Sequence, residues 1–290
     1  METIAFFGLG AMGKPMVQNL LEAGYTVRTA LHPTQNMDFV RALEQYERFI
    51  ICSGNEQAVQ GADIIVTMVP GDRQVEEILL ESGLEDRIAS GAVIVDMSSC
   101  LPETVCKVET FYRSRGVGVV DAPVSGGVKG AEEGALTIFS AGEAQTIDRV
   151  WDMLNALGKT VFRLSKCGQG KTLKNLNNLL LDVNVLAVSE VFRIAKAHAL
   201  DLDEVYQVVC AGSGASVAME KRWGRMKDAA FDDGFRISLA RKDLKNALTL
   251  AEAVPVPLAQ LTYELMKANR AHDDLDLAAM CRLFETTDGK

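Results

Sequence analysis

The sequence predicts an α/β fold, with a doubly wound sheet in the N-terminal half, a long helix between domains and an all-α C-terminal domain. Three observations carry that expectation. Short β-rich apolar runs alternate with helical stretches through the first half, the rhythm of parallel strands joined by helical crossovers. The central runs, Ile64-Ile65-Val66 and Val93-Ile94-Val95, are continuously apolar, as strands covered on both faces are. After about Phe162 the strand-like runs stop and only helical periodicity continues.

In chain order, strands are expected at 3–7, 26–30, 64–69, 92–97, 118–121 and 136–140. A glycine-containing entry, Cys167-Gly168-Gln169-Gly170, then opens a helical stretch over 171–198 with almost no breaker. At about 1.5 Å per residue that stretch spans about 40 Å, long enough to run between domains. Further helical segments are expected at 202–211, 214–228, 238–252, 257–270 and 275–284, separated by Gly, Asp and Pro. The chain of 290 residues is long enough for two domains at about 100–200 residues each. The change of pattern divides it into 1–163 and 164–290.

Composition narrows the function. The chain is 48% hydrophobic and 24% charged, which is that of an ordinary globular protein. With 30 Lys+Arg against 39 Asp+Glu, the net charge of −9 repels a phosphate backbone, so no nucleic-acid partner is expected. No apolar run reaches the about 20 residues of a bilayer span, and no basic leader precedes the first strand, so a cytoplasmic protein with no membrane partner is expected. The six cysteines have no CxxC spacing and the three histidines do not cluster, so the thiols read as reduced and no metal site is expected.

The residues with chemical content lie at the expected strand ends. Gly8-Leu9-Gly10-Ala11-Met12-Gly13 is a GxGxxG between a strand and a helix. Gly8 permits the tight turn, Gly10 the approach of a pyrophosphate to a helix N-terminus, and Gly13 close helix–strand packing. The acidic residue that would hold the ribose hydroxyls of NAD about 20 positions later is missing. No carboxylate lies between Glu22 and Asp38, and the second strand ends Ala30-Leu31-His32-Pro33-Thr34. Loss of that acid removes repulsion against a 2′-phosphate, so NADP is slightly favoured over NAD, with Arg28 and His32 the nearby cationic candidates. Met68-Val69-Pro70 and the loop containing Ser98 leave the carboxyl ends of two central strands, the ligand-binding edge of such a sheet. Pro123-Val124-Ser125-Gly126-Gly127 sets backbone N–H groups beside a hydroxyl, an arrangement suited to a carboxylate. Lys174 and Asn178, four residues apart, share a helix face, with Gly168 and Gly170 upstream leaving room for a ligand. An ammonium can exchange a proton with an alcohol or carbonyl oxygen that the amide orients. Taken singly, each of these segments also fits a plain loop or a solvated helix face.

Together, and in this order, they resemble one family. The glycine-rich turn with Pro15-Met16 and Asn19-Leu20, the segment Asp121-Ala122-Pro123-Val124-Ser125-Gly126-Gly127, the spacing Gly168-x-Gly170-x-x-x-Lys174-x-x-x-Asn178 and Lys242-Asp243-Leu244-x-x-Ala247 closely resemble the β-hydroxyacid dehydrogenases of the 3-hydroxyisobutyrate dehydrogenase and tartronate semialdehyde reductase type. The resemblance implies a Rossmann domain, and an NAD(P)-dependent exchange between a small β-hydroxy carboxylic acid and its semialdehyde. It implies roles too: Lys174 as general acid/base with Asn178 beside it, Ser125, Gly126 and Gly127 on the substrate carboxylate, and Ser98 on cofactor or substrate. Leu31, His32, Met68, Val69, Pro70 and Lys242 would line the cofactor. The chain departs from the family in having Leu31-His32 at the end of the second strand and Ala215 where some relatives carry an arginine, leaving Arg222 or Arg236 as weak candidates for a second substrate anion. Rival readings are an imine reductase-like enzyme, against which Lys174 argues, and a non-catalytic cofactor-binding protein. Leu176, Leu179, Leu180, Leu181, Val183 and Val185 on one helix cannot all face one core, so a homodimer or homotetramer is expected.

Overall fold

The computed structural model describes residues 2–283. In chain order its elements are β1 (Thr3–Phe7), α1 (Gly13–Glu22), β2 (Thr26–Ala30), α2 (Met37–Arg41), β3 (Phe49–Cys52), α3 (Asn55–Val59), β4 (Ile64–Thr67), α4 (Asp72–Leu79), β5 (Val93–Asp96), α5 (Pro102–Arg113) and β6 (Gly118–Asp121). There follow β7 (Val124–Ser125), α6 (Gly127–Glu132), β8 (Leu136–Ala141), α7 (Ala144–Arg149), α8 (Trp151–Leu157), β9 (Gly158–Leu164) and a 29-residue helix, α9 (Gln169–Ala197). The last helices are α10 (Leu202–Ala211), α11 (Val217–Lys227), α12 (Ile237–Ala251) and α13 (Pro257–Ala268). The chain divides into two compact units after Lys174, inside α9.

The first unit holds one nine-stranded sheet in the order β3-β2-β1-β4-β5-β6-β8-β7, with β9 added to β8. From β3 to β6 every pairing is parallel. Successive strand residues point to opposite faces, and two cores result. Ile4, Phe6, Val27, Ile64, Val66, Val93 and Val95 pack with Met16, Val17 and Leu20 of α1 and Leu154 of α8. Ala5, Phe7, Ile65 and Ile94 pack on the other face with Val59 of α3, Val75 of α4 and Val105, Val108 and Tyr112 of α5. Every residue of β4 and β5 is buried, which is why their sequences do not alternate.

The sheet departs from the sequence expectation at its margins. β8 runs antiparallel to β6 and β7, so the sheet is mixed there. Three strands were not expected: β3, β7 and β9. β3 and β9 are edge strands, with Ile50, Ile51 and Phe162 exposed, and half-polar edge segments such as Lys159-Thr160-Val161-Phe162-Arg163 read as loop. β7 is only two residues long.

The second unit contains no strand among its described residues, only an isolated bridge between Arg236 and Asp276. Val185, Val188 and Phe192 of α9 pack with Trp223 and Met226 of α11 and Leu244 of α12. Phe192 meets Trp223 edge to face at 5.3 Å, and the Trp223 indole donates to the Leu202 carbonyl at 2.9 Å. Asp201 caps α10 and Ser216 caps α11, each accepting first-turn N–H bonds. The segment expected as a helix at 275–284 is a 3₁₀ turn at Leu277–Arg282, and its last position lies outside the described residues.

Tyr112 ties the crossovers together on one face of the sheet. It is fully buried, and its hydroxyl donates to the carbonyl of Leu79 at the end of α4 at 2.8 Å. Burial pushes its phenol from an ordinary 10.0 to about 12. A raised acid favours the folded state while it is protonated, so this contribution is complete below pH 10 and is lost as pH rises toward 12. Tyr112→Phe is expected to lower unfolding free energy by about 1–2 kcal/mol in urea titrations, because the Leu79 carbonyl loses its donor. It should also remove the last step of the tyrosinate absorbance titration.

Candidate functional site

The carboxyl ends of β1, β2, β4, β5 and β6 gather the expected segments of the first unit at one edge of the sheet. In the turn between β1 and α1 the glycines have different reasons. Gly8 has φ +108°, and a Cβ there would lie 2.1 Å from the Met68 carbonyl oxygen. A Cβ on Gly13 would lie 1.8 Å from the Gly8 oxygen. Both are demanded by packing. Gly10 is exposed, and a Cβ there would meet no protein atom within 4 Å, so packing does not explain it. A glycine kept at an open position before a helix N-terminus fits the close approach of a pyrophosphate to backbone N–H groups. Leu9 is buried, whereas Ala11 is exposed and Met12 partly buried at the mouth of the turn. By this test the residues present fit a dinucleotide.

The loop after β2 is held to that turn by Gln35, whose amide donates to the Leu9 carbonyl at 2.8 Å. Leu31 packs against the core and His32 is exposed, its Nδ1 2.8 Å from the Thr34 hydroxyl. Arg28 donates to the Gln60 carbonyl at 2.9 Å, so its guanidinium is already engaged away from the strand end. His32 is then the cationic candidate beside this loop.

Met68 continues β4, its N–H donating to the Phe7 carbonyl at 2.8 Å. Val69 N–H donates to the Ser98 hydroxyl at 3.0 Å, and that hydroxyl lies 3.4 Å from the Thr67 carbonyl. Ser98 is fully buried, and its hydroxyl supports the Met68-Val69-Pro70 segment. Ser125 is partly buried, and Gly126 (φ +137°) and Gly127 (φ +66°) are exposed at the start of α6. A Cβ on Gly127 would meet nothing within 4 Å, yet its left-handed backbone favours glycine, so the turn presents bare N–H groups next to the Ser125 hydroxyl.

Beneath these loops lies a cluster that sequence reasoning missed. Lys171 is fully buried, with Nζ 3.1 Å from Asp96 Oδ2 and 3.4 Å from Asp121 Oδ1, and it donates to the Asp96 carbonyl at 2.8 Å. Burial opposes its charge, but the two carboxylates outweigh burial and hold the ammonium above its ordinary pKa. Burial pushes the Asp121 carboxyl up against the pull of Lys171. Asp121 Oδ2 accepts the N–H groups of Gly168 and Lys171 at 3.0 and 3.1 Å, a carboxylate at the N-terminus of α9. A sequence signal existed: Val-Ile-Val-Asp and Gly-Val-Val-Asp end adjacent strands in register, Asp96 opposite Asp121, and two buried neighbouring carboxylates require a cation. Gly168 and Gly170, at the start of α9, are closed in by protein atoms and do not leave ligand room. A Cβ on Gly170 would lie 2.4 Å from the Phe139 oxygen and 2.9 Å from Asp121 Oδ2, and one on Gly168 would lie 3.0 Å from Cys106 Sγ. Lys174, one turn on, is 9% exposed.

In the second unit Asn178 is buried and donates to Asp243 Oδ2 at 2.6 Å. That bond fixes the Asn178 amide, with Nδ2 toward Asp243 and Oδ1 accepting from Asn177 at 3.1 Å. Lys242 Nζ lies 3.0 Å from Asp243 Oδ1. Asp243 is thus a functional candidate that the motif contained but sequence reasoning gave no role. Arg222 faces an acid of its own, its Nη1 donating to both Asp276 oxygens at 2.9 and 2.6 Å, which argues against a role with a substrate anion. Arg236 is exposed and lies 3.8 Å from Asp274.

The two kinds of glycine separate experimentally. Gly10→Ala is expected to keep the thermal midpoint and weaken NADPH binding about tenfold or more in a fluorescence titration, since only ligand approach is blocked. Gly13→Ala is expected to cost about 1–3 kcal/mol of stability through overpacking against Gly8.

Comparison with known proteins agrees with this geometry. Residues 3–166 match the family model described as the NAD binding domain of 6-phosphogluconate dehydrogenase. Residues 168–284 match that described as NAD-binding of NADP-dependent 3-hydroxyisobutyrate dehydrogenase. The chain is 32% identical to the 2-(hydroxymethyl)glutarate dehydrogenase of Eubacterium barkeri, across 99% of this chain and 96% of the relative. It is 35% identical to the 2-hydroxy-3-oxopropionate reductase of Escherichia coli, across 97% of each. Among solved structures, the 3-hydroxyisobutyrate dehydrogenase of Mycobacterium tuberculosis with L-serine superposes with a TM-score of 0.88 at 27% identity, covering 99% of this chain and 100% of that one. An imine reductase of Myxococcus stipitatus shares the fold more distantly, with a TM-score of 0.67 at 17% identity. Among the described residues no helix is long and apolar enough to cross a membrane, and no three His, Cys, Asp or Glu side chains are placed to hold a metal. The glycine turn, the strand-end loops and these full-length matches agree: the chain belongs to the β-hydroxyacid dehydrogenase family of NAD(P)-dependent oxidoreductases.

Proposed function

We propose that the chain interconverts a small β-hydroxy carboxylic acid and its semialdehyde, with Lys174 as the general acid/base. The observation that carries the reading is a buried lysine at the family's catalytic spacing, one turn into a helix whose start is anchored at the ligand-binding edge of the sheet. Bound NAD(P) supplies or accepts the hydride. The Lys174 ammonium gives its proton to the forming alkoxide in reduction, and the neutral amine takes it from the hydroxyl in oxidation. Asn178, its amide oriented by Asp243, assists at the same oxygen. Ser125, Gly126 and Gly127 hold the substrate carboxylate through the hydroxyl and bare N–H groups.

Gly8 to Gly13 receive the pyrophosphate, with Leu31 and His32 toward the adenosine ribose. Met68, Val69 and Pro70 lie against the cofactor, Ser98 acts by holding that segment, and Lys242 lines the site near the nicotinamide. NADP is the favoured form, because no carboxylate stands between Glu22 and Asp38 and His32 is exposed at the end of β2. By this reading residues 1–163 form the NAD(P)-binding domain, which also carries the Ser125 turn, and 164–290 the all-α substrate and oligomerisation domain, which also carries Lys242. Apolar side chains left exposed on α9, among them Leu176, Leu180 and Ile194, support a homodimer or homotetramer, and a cytoplasmic location belongs to the same reading.

Initial rates with NADPH and NADH over a panel of small carboxylate-bearing semialdehydes test this reading. Oxidation of NADPH faster than NADH by at least one of them is expected, and Lys174→Met should lower kcat about 1,000-fold while still binding NADPH. Cofactor binding with no turnover across the panel would favour a non-catalytic role. Light scattering at micromolar concentration should report a particle heavier than the 31.5 kDa chain, and a 31.5 kDa particle would refute the assembly.

A further inference from the structure

Lys171 has no part in the proton exchange just described, yet its charge is fully enclosed at the edge where that exchange would occur. We propose that Lys171 is a positioning residue: pinned between Asp96 and Asp121, it sets where the first turns of α9 sit and hence the point from which Lys174 reaches the reacting oxygen. The proposal rests on the acid/base reading of Lys174.

Three features of the geometry support it. An ammonium has three N–H donors, and Lys171 Nζ has three oxygens in reach: the Asp96 carbonyl at 2.8 Å, Asp96 Oδ2 at 3.1 Å and Asp121 Oδ1 at 3.4 Å. The side chain is therefore held from three directions at once. Asp121 also grips the backbone of the same residue, since its other oxygen accepts the N–H of Lys171 and of Gly168. The helix start can neither slide nor turn without breaking several buried charged bonds. A turn by one residue swings every side chain by about 100°, so the register fixed at Lys171 is the register of Lys174. Finally, Asp96 carries the restraint onward. Its Oδ1 accepts the Thr67 hydroxyl at 2.8 Å and the Ser98 N–H at 3.0 Å, and Ser98 in turn accepts from Val69. One network thus joins the Met68–Pro70 segment to the helix that bears Lys174.

A residue that acts through position changes turnover more than binding. Lys171→Met, Lys171→Met/Asp121→Asn and Lys174→Met would be compared in the full chain for kcat, KM, NADPH affinity and thermal midpoint. The double variant removes the ammonium together with one of the charges it balances, leaving one buried carboxylate without a cation where the single variant leaves two. Expected for both Lys171 variants is a fall in kcat of about 100-fold, as for a misplacement of about 1 Å, with NADPH affinity unchanged. The double variant should regain thermal midpoint over Lys171→Met without regaining kcat. Wild-type kcat in Lys171→Met, or recovery of kcat together with thermal midpoint in the double variant, overturns the proposal and leaves Lys171 a stabilising residue only. Full turnover in Lys174→Met overturns the acid/base reading and the positioning role with it.

Discussion

The Lys171 ammonium is fully buried where the parallel strands end, and the Ser98 loop and the start of α9 are bonded to the two carboxylates around it. Asp96 and Asp121 finish adjacent strands in register, and neither is exposed. Without a cation between them the edge of the sheet would hold two carboxylates that water cannot reach. Lys171 supplies that cation from the start of α9, and Gly170 has no side chain to keep the helix from closing on Asp121. Removing one member of such a buried charged group costs about 3–5 kcal/mol, so the arrangement resists drift. Rigidity of this kind is what a proton-transferring group requires, because its efficiency depends on distance to the reacting atom.

The same edge uses glycine in two distinct ways. At Gly8, Gly13 and Gly170 a Cβ would strike backbone oxygen, so these positions are closed by the protein itself. At Gly10 and Gly127 a Cβ would meet no protein atom within 4 Å. The open positions lie on the cofactor turn and on the Ser125 turn, which is where a pyrophosphate and a carboxylate are accommodated in the proposed reaction. The sequence motif alone does not distinguish these roles.

Legibility followed burial. β4 and β5 were readable because every side chain in them is enclosed, and α9 because its periodicity is unbroken over eight turns' worth of chain at about 3.6 residues each. β9 was not, since this edge strand keeps polar, exposed positions that local pattern assigns to loop; β3, Phe49-Ile50-Ile51-Cys52, is wholly apolar but only four residues long, and its two central side chains are exposed. Among candidate site residues, the motifs singled out Lys174, Asn178 and the glycine turns by spacing. They could not locate the Asp96–Lys171–Asp121 cluster or the Asn178–Asp243 bond, which join segments 25 to 75 residues apart and exist only through tertiary contact. Arg222 could be offered only as a weak anion-binding candidate for the same reason: its partner, Asp276, lies 54 residues away.

The most direct measurement is a crystal structure of the chain with NADPH and a short β-hydroxy carboxylic acid bound. The account predicts the pyrophosphate over Gly10, the substrate hydroxyl within about 2.6–3.2 Å of Lys174 Nζ, the carboxylate at Ser125–Gly127, and Lys171 still between Asp96 and Asp121. A substrate hydroxyl held by another group, with Lys174 turned away from it, would contradict the account.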